Sequence, residues 1–468
     1  MPVKDYTYYD FTISLCPECL RRIDAKIIFE ENKVYMHKSC KEHGFFKVLI
    51  ADDIEYYKNI RNYNKPSEAP LKTNTETLYG CPYDCGLCKD HEQHSCLTLV
   101  EITDRCNLTC PTCYAMSSPH YGDHRSLKEV EKMLDIIVEN EGEPDVVQIS
   151  GGEPTIHPDF FEILDLAKQK PIRHVMVNTN GIRISKDKEF VKRLAGYMPD
   201  FEIYLQWDSF KETALTKLRG KDLTECRMKA LEHLNEYNLS TTLVVTLQKG
   251  LNDDEIGEII EFALKQRCVR GVTFQPIQVA GRLEDYNPSN NRITLTEVRR
   301  KILEQTPVFT NNDLIPVPCN PDALVMGYAL KLNGQAIPLT RYIDPSMLLD
   351  NSKRNTIVYE QDTVLHEELL KIFSTGISVD RVDDNVKKLL CCLPEIYAPG
   401  LSYENLFRII IMRFIDAWDF DVRAIKKSCV HIVSKDGRII PFETMNLFYR
   451  DSKEEYLKQL QNERKTLV

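Results

Sequence analysis

The chain has no apolar run of the roughly 18 residues that a membrane-crossing helix needs. Its first residues, MPVKDYTYYD, have no apolar core of a secretion signal, so a cytoplasmic location is expected. Nor is there a surplus of basic charge: 60 Lys and Arg stand against 70 Asp and Glu, a net charge of −10. Neutralising phosphates needs a basic face, so no nucleic-acid partner is expected. What the chain has in quantity is cysteine, 16 in 468 residues. These fall in short-spaced groups at 16–40, 81–113 and 319–429, which in a reducing compartment points to metal binding rather than disulfides. Cys226 and Cys268 stand alone and are expected to be buried thiols.

The length suggests about three domains at roughly 150 residues each. Residues 1–75 carry Cys16-Pro-Glu-Cys19 and, further on, Cys40-x-x-His43. The stretch between them, AKIIFEENKVYM, alternates around a polar turn and predicts a hairpin. Two knuckles joined by a hairpin make a zinc-ribbon or rubredoxin-like site of Cys16, Cys19, Cys40 and His43, holding zinc or iron. His37 is a second candidate for the fourth ligand, but the x-x spacing favours His43. A segment this small needs such a staple to hold together.

Two triplets share the spacing C-x3-C-x2-C: Cys81, Cys85, Cys88 and Cys106, Cys110, Cys113. Three thiolates hold three corners of a 4Fe–4S cube and leave one iron open, where chemistry can take place. The bland alternative is a zinc knuckle short of a ligand. Context separates the two triplets. Leu97 to Thr103 is an apolar, β-branched run that predicts a strand feeding the second triplet. The first triplet follows no convincing strand, and Cys96 completes a set of four with it. Residues 76–96 are therefore expected to form an auxiliary 4Fe–4S segment, with a structural zinc as the alternative.

From 97 to 290 strands and helices alternate. Strands are expected at Leu97–Thr103, Val146–Ser150, Arg173–Asn180, Glu202–Ser209, Ser240–Gln248 and Gly271–Ile277. Helices are expected at Leu127–Val138, Phe190–Ala195, Thr224–Tyr237 and Glu255–Lys265. The alternation implies a parallel sheet, and the polar residues gather at the C-terminal strand ends, where barrel active sites form.

The triplet Cys106, Cys110, Cys113 after the first strand, then Gly151-Gly152-Glu153-Pro154 after the second, resembles the radical SAM superfamily. The resemblance implies an α/β fold: a partial (β/α)6 TIM-like barrel, with the ribbon before it and an α+β C-terminal region over 291–468. It also implies that Cys106, Cys110 and Cys113 ligate a 4Fe–4S cluster whose open iron chelates S-adenosylmethionine. The Gly151–Pro154 edge receives the methionine ammonium, since glycines let backbone carbonyls approach a cation closely. One electron then cleaves a carbon–sulfur bond to a 5′-deoxyadenosyl radical that abstracts an unactivated hydrogen. Asn180, Gln206 and Asp208, at the third and fourth strand ends, are candidates for the adenosyl contacts, and Asn180-Gly181 also fits a plain turn. Gln275 and Arg282 are further candidates.

Several strings, CNLTCPTCYA, LQWDS, KLRGKDL, GVTFQPIQVAGR and CVHIVSKDGRIIPF among them, resemble the group of tetraether lipid synthases and radical SAM pterin methyltransferases. That resemblance implies two accessory clusters beside the ribbon ion. Cys319, Cys392 and Cys429 are candidates for the second. Ala323 and Glu443 stand where the group's pattern has cysteines, which leaves this cluster absent, incomplete or differently ligated. The expected reaction is functionalisation of an unactivated carbon, as in carbon–carbon joining of lipid chains. The alternative is methyl transfer to a pterin or similar small molecule. A non-catalytic metal- or nucleic-acid-binding protein is the rival from another class. Expected partners are a small-molecule or lipid substrate and an electron donor such as ferredoxin or flavodoxin, with transient membrane-surface contact allowed for. LFRIIIMRFI, Leu406–Ile415, is expected to be a buried strand or a channel wall, with Arg408 and Arg413 free for an anionic headgroup or for solvent. The charged tail predicts a solvated helix.

Overall fold

The computed structural model describes residues 5–64, 69–332, 335–341, 403–450 and 453–465. The expected ligand Cys392, with Cys391, lies outside the described residues. Four strands open the chain as an antiparallel meander: β1 (Thr7–Leu15), β2 (Arg22–Glu30), β3 (Lys33–Cys40) and β4 (Gly44–Ala51). β3 alternates strictly, with Val34, Met36, Lys38 and Cys40 turned inward, as a half-buried strand should. The β2–β3 turn is made by Glu31 and Asn32, both with positive φ (49° and 58°), the pair of conformations a two-residue hairpin needs.

The barrel strands are β5 (Leu97–Glu101), then, after the two-residue β6 (Thr112–Cys113), β7 (Val146–Ser150), β8 (His174–Thr179), β9 (Phe201–Gln206), β10 (Thr241–Leu247) and β11 (Val269–Pro276). They pair in parallel in the order β5-β7-β8-β9-β10-β11. β7 is buried at every position, the pattern of a strand covered on both faces. The helix Leu127–Glu141 covers one outer face with Val130, Met133, Leu134 and Ile137; a reciprocal capping box of Ser126 and Glu129 starts it. β12 (Arg282–Leu283) pairs back onto β6.

The C-terminal strands are β13 (Ile315–Pro316), β14 (Leu324–Leu332), β15 (Gln335–Pro338), β16 (Leu406–Met412), β17 (Val430–Val433) and β18 (Ile439–Pro441). They form no sheet of their own. β16 adds in parallel beside β11, and β17 adds in parallel beside β5. Antiparallel strands then finish both edges: β14, β13 and β15 beyond β16, and β18 beyond β17.

Two expectations for the C-terminal region change. Arg408 and Arg413 meet protein carboxylates: Arg408 pairs with the fully buried Glu202, 2.5 Å away, and Arg413 with Asp419 at 2.9 Å. Both answer buried anions that would otherwise be costly, so neither is free for a headgroup or for solvent. The tail helix, Glu454–Lys465, is not wholly solvated. Leu457 and Leu460 are buried against Tyr83 and Phe448, and Arg21 of the ribbon pairs with Glu463 at 2.8 Å. No helix among the described residues is long and apolar enough to cross a membrane.

Candidate active site

The loop after β5 carries Cys106 and Cys110 and runs into β6, which carries Cys113, and all three face one cavity of about 150 Å³ at the C-terminal ends of the barrel strands. Burial pushes the Cys106 thiol up to about 12, with the charge of Glu153 adding to it. Burial raises Cys110 as well, partly offset by the Arg219 guanidinium. A bound metal draws such protons off outright, so these donors fit a metal cluster.

Gly151 and Gly152 line the same cavity. A Cβ on Gly151, whose φ is +138°, would stand 2.3 Å from the Thr103 carbonyl; one on Gly152 would stand 2.1 Å from that of Arg105. The glycines therefore let the β7 edge close onto the cluster loop. Gly152 N–H donates to Thr103 O at 2.8 Å and Glu153 N–H to Arg105 O at 2.9 Å. Glu153 and Pro154 do not line the cavity. The Glu153 carboxylate turns inward, accepting from Thr155 Oγ1 (2.6 Å), Thr179 Oγ1 (2.7 Å) and Asn180 N (2.8 Å). Burial raises its pKa against these donors. Its role in the fold is to tie β7 to the end of β8.

Asn180 and Gln206 line the cavity, and Asn180 Nδ2 donates to Asn107 Oδ1 of the cluster loop at 2.7 Å. Asp208 does not. It is fully buried in a left-handed conformation (φ 63°) and accepts from Arg219, Arg227 and the Thr246 N–H. Burial alone would raise its pKa; the two guanidinium groups hold it well below the usual carboxylate range. Among the described residues Arg219 is the only charged side chain lining the cavity. In the sequence it has no signal beyond its place in KLRGKDL. Gln148, in the middle of the buried run VVQIS, was also missed; an amide in an otherwise apolar strand was the available signal. Gln275 lines the cavity, and Arg282 clamps the loop from below, donating to Cys110 O (2.5 Å) and Ser117 O (2.8 Å).

The other candidate ligands divide differently from the expectation. Cys16, Cys19, Cys40 and His43 converge within 4.8 Å of one another. His37 is turned away, its ring against Tyr6 and Phe45. Cys81 and Cys85 lie together among Tyr83, Phe442 and Phe448, where the Cys85 N–H donates to Tyr449 Oη at 2.7 Å. Cys88 follows on the same loop, half-buried. Cys96 does not complete this set. It is fixed at the start of β5, which is paired on both sides, and its sulfur groups with Cys319 and Cys429 instead. Glu443 is buried, with Ser428 Oγ donating to it at 2.8 Å.

Residues 100–263 match the radical SAM superfamily and residues 8–52 match an HMPTM N-terminal zinc ribbon domain. The chain is 33% identical to a 7,8-dihydro-6-hydroxymethylpterin dimethyltransferase of Methanocaldococcus jannaschii, over 95% of this chain and 94% of that protein. It is 24% identical to the antilisterial bacteriocin subtilosin biosynthesis protein AlbA of Bacillus subtilis, over 67% of this chain and 66% of the other. It is 31% identical to a GTP 3′,8-cyclase of Alkaliphilus oremlandii, over 38% and 56%. The chain belongs to the radical SAM superfamily. It is an enzyme that uses a 4Fe–4S cluster and S-adenosylmethionine, with further metal sites outside the barrel mouth.

Proposed function

We propose that this enzyme functionalises a carbon of a small, flat heterocycle of the reduced-pterin kind, with methyl transfer as the outcome. One observation carries this. Among the described residues the cavity is lined by six amides and by no carboxylate, and four of the six, Gln148, Asn178, Gln275 and Gln278, lie outside the set that would hold S-adenosylmethionine. Amides both donate and accept, so they can read the alternating edge of an uncharged heterocycle. Opposite them Phe414 and Phe442 lie with ring centroids 4.0 Å apart, an apolar face on which a flat ring can rest. The name of the pterin-modifying relative agrees with this reading.

In this proposal Cys106, Cys110 and Cys113 hold the cluster, and Gly151, Gly152, Asn180, Gln206 and Arg219 hold S-adenosylmethionine. When bound and reduced by one electron, from a donor of the ferredoxin or flavodoxin kind, the pair supplies a 5′-deoxyadenosyl radical. The chain's own part is to fix the loop, to present a cation at the cavity wall and to shield the site from water along the Phe414–Phe442 face.

A second reading has an observation of its own. Behind Leu97, Tyr204, Met412 and Val430, which line both spaces, lies a chamber of about 120 Å³ walled mainly by Val146, Met176, Leu324, Met326, Tyr328 and Ile410. Such a wall suits a lipid chain and carbon–carbon joining. The test is anaerobic turnover of the reconstituted chain with S-adenosylmethionine, reductant and either a reduced pterin or an isoprenoid lipid. Methylated pterin, with one 5′-deoxyadenosine and one S-adenosylhomocysteine per methyl group, is the expected product, since one S-adenosylmethionine supplies the radical, a second supplies the methyl group, and two electrons from the reductant balance the transfer. Lipid coupling with an untouched pterin would replace the first reading by the second.

A further inference from the structure

A second recess opens at the C-terminal ends of β5 and β17, beside the candidate active site and outside it. It measures about 320 Å³ and lies between the cluster loop, the β17–β18 turn and the tail helix. Ala115, just beyond Cys113, lines both this cleft and the active-site cavity, and no other described residue does.

Five cations line the cleft, Arg125, Lys435, Arg438, Arg450 and Lys458, against four carboxylates among the described residues. The carboxylates are answered within the protein. Glu101 accepts from Arg450 at 2.7 and 2.8 Å. Asp436 accepts from the Arg438 N–H at 3.0 Å and from its Nε at 2.7 Å. Asp104 accepts from Arg125 Nη1 at 3.3 Å, and Glu454 stands 3.8 Å from Lys458 Nζ.

The cations keep donors in reserve. The Arg125 side chain is only 10% exposed, yet its buried Nε has no acceptor. Arg438 gives Nε to Asp436 and lies over the Tyr449 ring, 4.8 Å from its centroid. That leaves its Nη1 and Nη2 without an acceptor among the described residues. A buried N–H with no acceptor is costly. A guanidinium with one edge free takes an oxyanion through two parallel bonds, and the Tyr449 ring fixes the plane in which it does so. The donors come from separate segments and meet round one recess of ligand-binding size, which suits an anion with several oxygens.

We propose that this cleft binds a phosphate or diphosphate group, with Arg125 and Arg438 as its anchors. Arg450, saturated by Glu101 and Asn446, serves as the rigid wall between them. Two sources share this chemistry. A phosphorylated side chain of the substrate would reach the cleft past Ala115, and a free phosphate compound would enter it from solvent. The first source rests on the heterocycle reading of the cavity; the site itself does not.

The test uses the full, cluster-loaded chain. Calorimetric titration with inorganic pyrophosphate should show a single site. Arg438→Gln and Arg125→Gln should each weaken it about tenfold or more, with the 4Fe–4S absorbance and the unfolding midpoint unchanged. Arg438→Lys keeps the charge without the two parallel donors and should recover only part of the loss. No binding by the unaltered chain, or equal binding by both glutamine variants, overturns the proposal. Should Arg125→Gln not fold, the Arg438 variants decide alone. Turnover then separates the sources. A substrate-borne phosphate predicts that pyrophosphate raises KM for a diphosphorylated reduced pterin and leaves KM for the unphosphorylated one alone. A free phosphate ligand predicts a change in kcat with the unphosphorylated pterin. Either result supports the site. If neither pterin reacts, the heterocycle reading fails, and pyrophosphate binding still decides the site.

Discussion

Asp208 grips Arg219 through two bonds of 2.7 Å, Nε to one carboxylate oxygen and Nη2 to the other. The pairing exchanges the roles that the strand end LQWDS suggests. The acid is the buried anchor, and the arginine it holds is, among the described residues, the only charged side chain facing the cavity. Arg219→Ala should therefore weaken S-adenosylmethionine binding by roughly 10- to 100-fold, since a hydrogen bond to a charged group contributes about 1.5–3 kcal/mol. Equilibrium dialysis of the cluster-loaded protein measures this. Asp208→Ala should do more: it leaves Arg219 and Arg227 as unanswered buried cations, a cost of about 3–5 kcal/mol that would appear in the unfolding midpoint.

Gly152→Ala should displace the cluster loop. The added methyl would meet the Arg105 carbonyl at 2.1 Å, and backbone cannot step aside as a flexible side chain can. Loss of the barrel cluster and of 5′-deoxyadenosine formation is expected, with the ribbon ion retained. Iron and zinc counts on the variant check both. Full cluster loading and normal cleavage would show that the close approach is not needed.

The barrel was legible because parallel strands buried on both faces are short apolar runs, and each was visible as such from Val146–Ser150 to Gly271–Ile277. The cluster loop was legible because its spacing is local. Long-range partners carry no local signal. Gly271 pairs with Arg408 across 137 residues, so the place of β16 between β11 and β14 could not be read from LFRIII. Cys96 was assigned to its sequence neighbours, although strand pairing holds it beside Cys429. Glu153 and Asp208 were read as ligand contacts because they are polar at strand ends; there a carboxylate can as well be the hidden anchor of the group that makes the contact.

Stability should fall with acid. His91 is buried, its Nε2 2.8 Å from Ser428 O and 3.2 Å from His431 Nε2, and burial lowers its pKa from 6.5 to about 4. His431 is shifted the same way by burial and by His91. Between pH 6.5 and 4 the unfolded chain binds the proton that the folded chain refuses, so stability is retained above this window and lost as pH falls through it. For His91 alone the loss is on the order of 3 kcal/mol. Urea unfolding at pH 7 and pH 4.5 should show the drop, and His91→Gln should make the two midpoints converge. An unchanged difference in the variant would place the acid sensitivity elsewhere.

Filling the rear chamber separates the two substrate classes. Ile410 on β16 lines the chamber but not the front cavity, and it pairs with Met326 on one side and Thr273 on the other. Ile410→Trp would occupy much of a space of about 120 Å³, at a folding cost of roughly 1–3 kcal/mol for overpacking. The amides and the Phe414–Phe442 face lie beyond the layer of Leu97, Tyr204, Met412 and Val430, so a heterocycle held there keeps its contacts. Pterin methylation in the variant should stay within about threefold of the unaltered enzyme, and any lipid turnover should disappear. The comparison is made by product mass spectrometry with 5′-deoxyadenosine as the common denominator. Joint loss of pterin methylation and normal uncoupled cleavage would mean that the heterocycle reaches into the chamber, and that Tyr204 and Met412 form its floor and not a partition.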